Sequence, residues 1–416
     1  MGLAFDLIYL LVAAVTYPAW SQKARGGWAE RFGRIDPLPP PPPGRPRLLL
    51  HAVSVGELNA IRPLVAELAT DVDLVISTTT DTGIERARTL FGDAHHVVRY
   101  PLDATFAVRR FLDAVHPHAV ALAELELWPN FVRAARARSI PVCIVNGRLS
   151  GRSFPRYRRF RIAIGSLFRS LRFAAAQDET YAVRFTAMGT PRVEVAGSMK
   201  WDAARSRDDL PLSETDELAT ALAIDRTRPV IVAGSTTPDE HDLLAAAVPP
   251  DVQLIVAPRQ PAWFDHAAET FGPDAIRRSQ PHTPHAHHAE RAPTRFILDT
   301  LGELETAYAL ADLAIVGRSF GDLFGSDPIQ PAAMGVPVLI GPAHANFDQP
   351  VRALRDAGGL RVVAPDELAS AAHDLIANEH TQHDMSSACL RCVAAHRGAA
   401  ARQAALIQDM LRDAAP

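Results

Sequence analysis

Short apolar runs, each followed by apolar residues at helical spacing, recur along most of the chain. This alternation of buried strand and amphipathic helix is typical of a parallel sheet wrapped by helices. In the first half the runs are Leu48–Val53, Leu74–Ser77, His96–Tyr100, Ala119–Ala123, Val142–Val145, Phe173–Ala176 and Val193–Ala196. In the second half they are Val230–Ala233, Leu254–Ala257, Phe296–Leu298, Leu313–Val316, Val338–Ile340 and Leu360–Val363. The pattern predicts an α/β protein with two Rossmann-like domains that face a cleft.

Changes in polarity and periodicity predict the domain boundaries. An N-terminal segment (1–36) is followed by a proline-rich spacer (37–46), which we expect to be stiff and extended. The first Rossmann-like domain is predicted at 47–200 and a polar linker at 201–213. The second domain is predicted at 214–416 and includes an alanine-rich, helical C-terminal region.

The N-terminal segment contains an unbroken apolar run from Leu7 to Tyr17. A bilayer span needs about 20 apolar residues, and Asp6 interrupts any longer stretch here. Tryptophans and basic residues follow the run, as is common at a membrane–water interface. We therefore predict a membrane-associated N-terminal helix; a helix packed on the protein's own surface is the alternative.

The overall charge hides one strongly basic stretch. The net charge of −4 and pI near 6.5 argue against general nucleic-acid binding. Between Arg148 and Arg172, however, there are eight arginines and no acidic residue. Like charges gathered this way are best tolerated near an anion, so we expect an anionic membrane surface or ligand there. The alternative is an ordinary solvated helix face.

Candidate chemistry begins at His51–Glu57, where a small-residue turn joins a predicted strand to a predicted helix. Ligands of open α/β sheets gather at the carboxyl ends of the strands, which favours a functional Glu57. An acid in a first helical turn also suits the helix dipole, so a purely structural role stays open. Glu124 and Glu126 follow a later strand and share a face if the segment is extended, which suits acid/base work or the binding of sugar hydroxyls. The alternative is that one of them merely pairs with a nearby arginine.

The second domain has two predicted anion sites of the strand–turn–helix type. One is Ala233–Glu240, where a plain helix cap by Thr236 or Thr237 is the alternative. The other is Val316–Phe320, followed by Ser326–Ala332.

The order of these motifs resembles that of the 3-deoxy-D-manno-octulosonic acid (Kdo) transferases, from the N-terminal helix to about Gly359. The resemblance implies the GT-B glycosyltransferase fold, CMP-Kdo as donor and the lipid A precursor as acceptor. It also implies inversion at the anomeric carbon, no metal or other cofactor, and action at the cytoplasmic face of the inner membrane. An enzyme using another CMP-linked ulosonic acid and a non-catalytic lipid- or nucleotide-binding relative are the alternatives.

The resemblance also assigns roles to residues. The glutamate of the family's SVGE motif, its catalytic base, falls on Glu57, with Ser54 and Gly56 beside it, and Glu126 is a second catalytic candidate. The remaining substrate-binding candidates of the first domain are Glu124, Asn146, Arg148 and Lys200. Those of the second domain are Ser235, Thr236, Arg259, Gly302, Glu303, Gly317, Ser319, Asp327, Gln330 and Asn346.

Departures from the family pattern are concentrated around the nucleotide. Arg318 replaces a glycine, Ser326 and Asp327 replace a histidine–asparagine pair, and Gln330 replaces a glutamate expected to hold the ribose. We expect donor binding to be retained but retuned, with Arg318 pairing with Asp327 or reaching the donor. Drift in a weakly constrained pocket is the alternative.

Overall fold

The computed structural model describes residues 26–280 and 293–414. The chain divides into two compact units, one running to Ala203 and including the chain from His396 onward, the other Ala204–Ala395. The predicted N-terminal membrane helix lies outside the described residues. Within the described ranges, no helix is both long and apolar enough to cross a membrane.

The first unit is built on a seven-stranded sheet in which all neighbouring strands are parallel. Its order is β3-β2-β1-β4-β5-β6-β7. The strands are β1 Arg47–His51, β2 Asp73–Thr78, β3 His96–Arg99, β4 Ala119–Ala123, β5 Val142–Gly147, β6 Ala174–Ala176 and β7 Val193–Val195. The helices are α1 Trp28–Arg31, α2 Val55–Ala60, α3 Arg62–Leu68, α4 Asp81–Phe91, α5 Thr105–Val115, α6 Pro129–Ala137, α7 Phe154–Arg159, α8 Arg161–Arg169, α9 Glu179–Met188 and α10 Lys200–Ala203.

The second unit repeats this architecture with a sheet of order β10-β11-β9-β8-β12-β13-β14, again parallel throughout. Its strands are β8 Val230–Thr236, β9 Gln253–Pro258, β10 Ile276–Arg277, β11 Arg295–Ile297, β12 Leu313–Val316, β13 Val338–Ile340 and β14 Leu360–Val362. The helices are α11 Leu212–Ala221, α12 Pro238–Ala247, α13 Phe264–Phe271, α14 Leu304–Ala309, α15 Ile329–Ala333, α16 Asp348–Asp356, α17 Leu368–Ile376, α18 Glu379–His396 and, returning to the first unit, α19 Ala399–Ala414.

The strand predictions are confirmed in number and position, apart from the two-residue β10, which is too short to leave a pattern. Buried side chains alternate between the two faces of each sheet. Leu48 and Leu50 belong to one apolar core of the first unit, and Leu49 belongs to the core on the other face. The predicted fold class of two Rossmann-like domains is therefore correct, while the predicted cleft between them stays a prediction.

The placement of the C-terminal helix differs from the expectation. Helix α19 buries Ala404, Ile407 and Leu411 in a core of the first unit, together with Leu64 and Leu68 of α3. An alanine-rich helix shows from sequence which face is apolar, but not which sheet that face will cover. The second unit therefore ends before His396, and the expectation that it extends to residue 416 is wrong.

The proline-rich segment contains a turn at residues 43–44 and is bound to the rest of the first unit. The Leu38 amide donates to the Ala114 carbonyl at 2.9 Å, and the buried Arg47 guanidinium donates to the Pro39 carbonyl at 2.5 Å. The preceding helix α1 is fastened as well, because Arg99 bridges Glu30 at 3.0 Å and Asp81 at 2.6 Å. Residues 26–46 are thus part of the first unit rather than a spacer in front of it.

Candidate functional site

The switch point of the first sheet lies between β1 and β4, which pair with each other and then continue to opposite sides. Loops that leave neighbouring strands in opposite directions open a crevice at their carboxyl ends, where α/β proteins bind ligands. The loop after β1 carries Glu57, and the loop after β4 carries Glu124 and Glu126. The sheet topology therefore brings the three predicted carboxylates to one edge.

Glu57 occupies the first turn of α2 and completes a cap. The Ser54 hydroxyl accepts a hydrogen bond from the Glu57 amide at 3.3 Å and donates one to Oε1 of Glu57 at 2.9 Å. The Val53 amide donates to Oε2 at 2.9 Å. The structural alternative thus holds in part, since the carboxylate is oriented by its own loop. Each carboxylate oxygen has a second lone pair, so Glu57 can still accept a proton from a ligand.

The negative charges of these glutamates contribute to raised pKa values of Glu57 and Glu126. Burial raises the pKa of Glu57, the Val53 amide opposes that shift, and the Glu124 charge adds to it. Burial likewise raises the pKa of Glu126 to about 7, with added repulsion from Glu57 and Glu124. A carboxyl group with a pKa near neutrality can hold or release a proton at physiological pH, as acid/base catalysis requires.

The segment from β4 into α6, which carries Glu124 and Glu126, has an unusual backbone and a cap from outside it. Glu124 has a left-handed backbone with φ 55°, which is unfavourable for any residue with a Cβ and is common at functional sites. The carboxylate of Asp103 accepts the Asn130 amide at 3.0 Å and the Phe131 amide at 2.8 Å, which caps α6. Sequence reasoning missed Asp103 because it lies 27 residues before Asn130.

The raised pKa of Glu126 predicts how stability changes with pH. Between pH 4.5, the ordinary value, and about 7, the folded protein keeps a proton that the unfolded chain has released. This group's contribution to stability is therefore full below pH 4.5 and is lost as pH rises through 7. We expect the free energy of unfolding of Glu126→Gln, measured with urea relative to wild type, to increase by on the order of 1–3 kcal/mol from pH 5 to pH 8. The exposed Glu85→Gln is the control, and an equal gain there would contradict the assignment.

Other candidates of the first unit have mixed roles. Asn146 is 1 % exposed and has a structural role. Its backbone N–H donates to Gln403 Oε1 at 2.7 Å, and its side-chain Oδ1 accepts the backbone N–H of Met199 at 3.1 Å. It thereby ties β5 to the segment that leads into Lys200, the half-buried first residue of α10. Burial opposes the charge of Arg148, yet a hydrogen bond with Tyr181 and the nearby Glu124 raise its pKa. The small, exposed Gly56 lies beside Ser54 at the start of α2.

The switch point of the second sheet lies between β8 and β12. Here the buried carboxylate of Glu240, in the first turn of α12, accepts four backbone N–H groups. The Thr237 amide, at 3.0 Å, completes the cap of α12. The other three donors follow β12, and their distances are 2.8 Å for Arg318, 2.9 Å for Ser319 and 3.1 Å for Phe320. The predicted anion site at Val316–Phe320 is therefore filled by the protein's own carboxylate.

Some of the substrate-binding candidates of the second unit form hydrogen bonds within the protein. The Thr236 hydroxyl bonds to Nε2 of the buried His241 at 3.1 Å. Ser319 is fully buried, donates to the Val316 carbonyl at 2.6 Å and accepts the Gly341 amide at 2.8 Å. These side chains shape the loops rather than face a ligand.

The remaining candidates lie around this edge or near it. Glu303 pairs with Arg278 at 2.9 Å, and Gly302 supplies a left-handed backbone with φ 95°. The Gln330 side-chain amide donates to Oε1 of Glu305 at 3.4 Å, so a carboxylate lies beside the position where the family's glutamate is missing.

Exposed Arg259 and Asn346 lie outside regular strands, after β9 and β13 respectively. Ser235 has a left-handed backbone, φ 59°, at a bulge of β8.

Of the two roles expected for Arg318, pairing with Asp327 is not found, since no ion pair joins these two described residues, and contact with the donor stays a prediction. The Arg318 guanidinium instead approaches the Leu323 carbonyl at 3.4 Å, and the Asp327 carboxylate accepts the Ile329 amide at 3.0 Å. The backbone of Arg318 has φ 60°, a conformation that glycine adopts at little cost. The glycine of the family pattern therefore fits this position better than the arginine does.

This strain gives a stability prediction. Arg318→Gly should raise the free energy of unfolding by about 1 kcal/mol, because it removes the clash of a Cβ in the left-handed region. Arg318→Ala is the matched control, since it removes the charge but keeps the Cβ. Chemical denaturation should show stabilisation for Gly only. Equal effects of the two substitutions would attribute the change to charge.

Solved structures share this fold at low sequence identity. A glycosyltransferase from Rickettsia africae aligns with 88% of this chain and 98% of its own at a TM-score of 0.61 and 11% identity. A putative UDP-N-acetylglucosamine 2-epimerase from Listeria monocytogenes aligns with 89% of this chain and 97% of its own, at a TM-score of 0.60 and 14% identity. The architecture is that of the GT-B glycosyltransferases.

Sequence comparison identifies the family. Residues 26–203 match the profile of the family described as 3-deoxy-D-manno-octulosonic-acid transferase (kdotransferase). The 3-deoxy-D-manno-octulosonic acid transferase of Haemophilus influenzae is 31% identical, with 97% of this chain and 95% of the relative aligned. That of Bordetella pertussis is 33% identical, with 94% of each chain aligned. This chain therefore belongs to the Kdo transferase family.

Proposed function

We propose that this protein transfers Kdo from CMP-Kdo to the lipid A precursor in lipopolysaccharide synthesis, with inversion at the anomeric carbon. Family membership supports the reaction class. The observation that carries the proposal is the group of interacting carboxylates Glu57, Glu124 and Glu126 at the switch point of the first sheet. Such a group can accept the proton of an attacking hydroxyl near neutral pH.

In this mechanism the lipid hydroxyl loses its proton to Glu57 as its oxygen attacks the anomeric carbon of Kdo. The bond between that carbon and the CMP phosphate breaks, and CMP leaves with the electron pair. Glu57 is the base because the Val53 amide and the Ser54 hydroxyl fix its orientation. Glu126, with a pKa of about 7, holds a proton part of the time and limits the negative charge near Glu57.

The donor is assigned to the second unit. Arg259 follows β9, next to the β8 loop, and its own amide donates to the Thr236 carbonyl at 3.0 Å. Its side chain is exposed and has no carboxylate partner among the described residues. A cation at that place can neutralise the charge that develops on the CMP phosphate as it leaves the anomeric carbon.

We further propose that the first unit acts at the anionic cytoplasmic face of the inner membrane. Arg152, Arg156, Arg158 and Arg159 are all exposed and have no carboxylate partner among the described residues. Tyr157, which shares helix α7 with three of these arginines, has a pKa raised first by burial and then by the charge of Glu126. This electrostatic influence supports a position of α7 on the Glu126 side of the first unit, from which its arginines can bind phosphates of the acceptor or of neighbouring lipids.

Replacing these four arginines by Ser should weaken binding to vesicles containing anionic lipid and raise the acceptor KM, more strongly at low salt. Each exposed charge near such a surface contributes about 1 kcal/mol, so the affinity loss should be large. The matched control carries Lys at all four positions and keeps the charge. Flotation and acceptor KM that match wild type at low salt would contradict this role.

The identity of the donor is tested by calorimetric titration of the purified protein with CMP-Kdo, CMP-N-acetylneuraminate and UDP-N-acetylglucosamine. The proposal predicts tightest binding of CMP-Kdo, and CMP release only after the lipid A precursor is added. Preference for CMP-N-acetylneuraminate would favour another ulosonic acid as substrate. Absence of binding by any cytidine nucleotide would favour a non-catalytic relative.

A further inference from the structure

We infer that Glu240 is a positioning residue that holds the two loops of the donor pocket in one fixed arrangement. The inference rests on the proposed assignment of the donor to the second unit. Glu240 is 3% exposed and lies at the switch point between β8 and β12. Both of its carboxylate oxygens accept backbone N–H groups, so its effect passes through the segments that it binds.

Helix capping explains only a quarter of the bonds that Glu240 accepts. The reciprocal cap of α12 requires the Thr237 amide alone. The amides of Arg318, Ser319 and Phe320 belong to the loop after β12, 78 to 80 residues away in sequence. Three consecutive N–H groups that converge in this way form a concave anion site of the kind that binds phosphates elsewhere. Here a fixed carboxylate fills it, and the bonds join the two loops.

Two strained residues adjoin this joint, one near the end of β8 and one in the loop after β12. Ser235 and Arg318 have φ values of 59° and 60°, which residues with a Cβ adopt only when their surroundings impose it. Gly317, directly before Arg318, packs so closely that an added Cβ would lie 2.9 Å from Oε2 of Glu240. Charge-assisted hydrogen bonds are about twice as strong as neutral ones, so the carboxylate can offset this strain.

A pocket of about 210 Å³ opens directly beside this joint. Its lining includes Glu240 and Thr237 from one loop and Arg318 and Phe320 from the other. Because the carboxylate bonds to the backbone of both walls, its loss would let the walls move apart. The consequence should be a loss of donor affinity with little change in the handling of the acceptor.

The test compares Glu240→Gln with Asp312→Asn. Asp312 accepts the Val230 amide at 2.9 Å and so bridges the same two strands at their amino ends, away from the pocket. We expect Glu240→Gln to raise the Kd of CMP and the KM of CMP-Kdo about tenfold, which corresponds to about 1.4 kcal/mol, and to leave the acceptor KM unchanged. Asp312→Asn should lower Tm without changing the donor KM.

A second variant distinguishes an effect on the arrangement of the loops from a general loss of stability. In Glu240→Ala the anion site is vacated, so free acetate should restore part of the thermal stability and of the CMP affinity, while acetate has no such effect on Asp312→Ala. These readouts do not require turnover, so they stand apart from the proposed transfer reaction. A lower Tm with wild-type CMP affinity in Glu240→Gln, or no response of Glu240→Ala to acetate, would overturn the inference.

Discussion

Replacing Glu57 by Gln should reduce kcat by on the order of 10²–10⁴-fold, because the amide cannot take the proton from the acceptor hydroxyl. The substitution keeps the shape of the side chain and an oxygen that can accept the Val53 amide or the Ser54 hydroxyl, so the fold of α2 should survive. Steady-state rates with saturating donor and acceptor give the loss. Calorimetry should show that CMP still binds with nearly unchanged affinity.

Glu126→Gln is the matched comparison for Glu57→Gln, since both acids lie at the same sheet edge and have raised pKa values. We expect a smaller loss of kcat and a pH–rate profile whose acid limb is displaced. Near-normal turnover of Glu57→Gln together with a large loss in Glu126→Gln would move the role of base to Glu126. Loss of CMP affinity in Glu57→Gln would make Glu57 structural.

The second large effect is expected at Gly317. An added Cβ would lie 2.7 Å from the Thr236 Cα and 2.8 Å from the Ser235 carbonyl oxygen. Both neighbours are backbone atoms, so the β8 and β12 loops would have to separate. Gly317→Ala should lower the free energy of unfolding by roughly 3 kcal/mol, the upper part of the usual range for overpacking, and should weaken CMP binding at least tenfold.

Gly321→Ala is the control for Gly317→Ala. It lies in the same segment, and an added Cβ there would meet nothing within 4 Å. Urea unfolding and CMP titration of the two variants therefore separate a steric effect from any loss of glycine's flexibility. Equal stability of the two variants would show that the close approach of the loops is not required.

The sequence predicts the strands and the position of Glu57 well, because both follow from local patterns. Buried strands appear as short apolar runs, and a small-residue turn before a helix marks the carboxyl edge of a sheet. The cap formed by Ser54 and Glu57 is equally local, since its partners lie within four residues. Local sequence patterns therefore indicate both a structural role and a functional role for Glu57.

Contacts between distant segments could not be predicted in this way. The Thr237–Glu240 spacing indicates a cap, but nothing local signals that Glu240 also binds the loop at Arg318. The alanine-rich tail predicts a helix, yet its packing against the first sheet depends on side chains over three hundred residues earlier. A signal for the backbone of Arg318 was present, because a glycine at that position in the family pattern suggests a positive φ.

Movement of Kdo to a lipid acceptor can be detected by mass spectrometry of the lipid product. Purified protein is incubated with CMP-Kdo and the tetraacyl lipid A precursor, with Glu57→Gln as the parallel reaction. We expect a lipid heavier by whole Kdo residues with wild type, and little or none of this product with Glu57→Gln. An unmodified lipid after incubation with folded, CMP-binding wild type would contradict it.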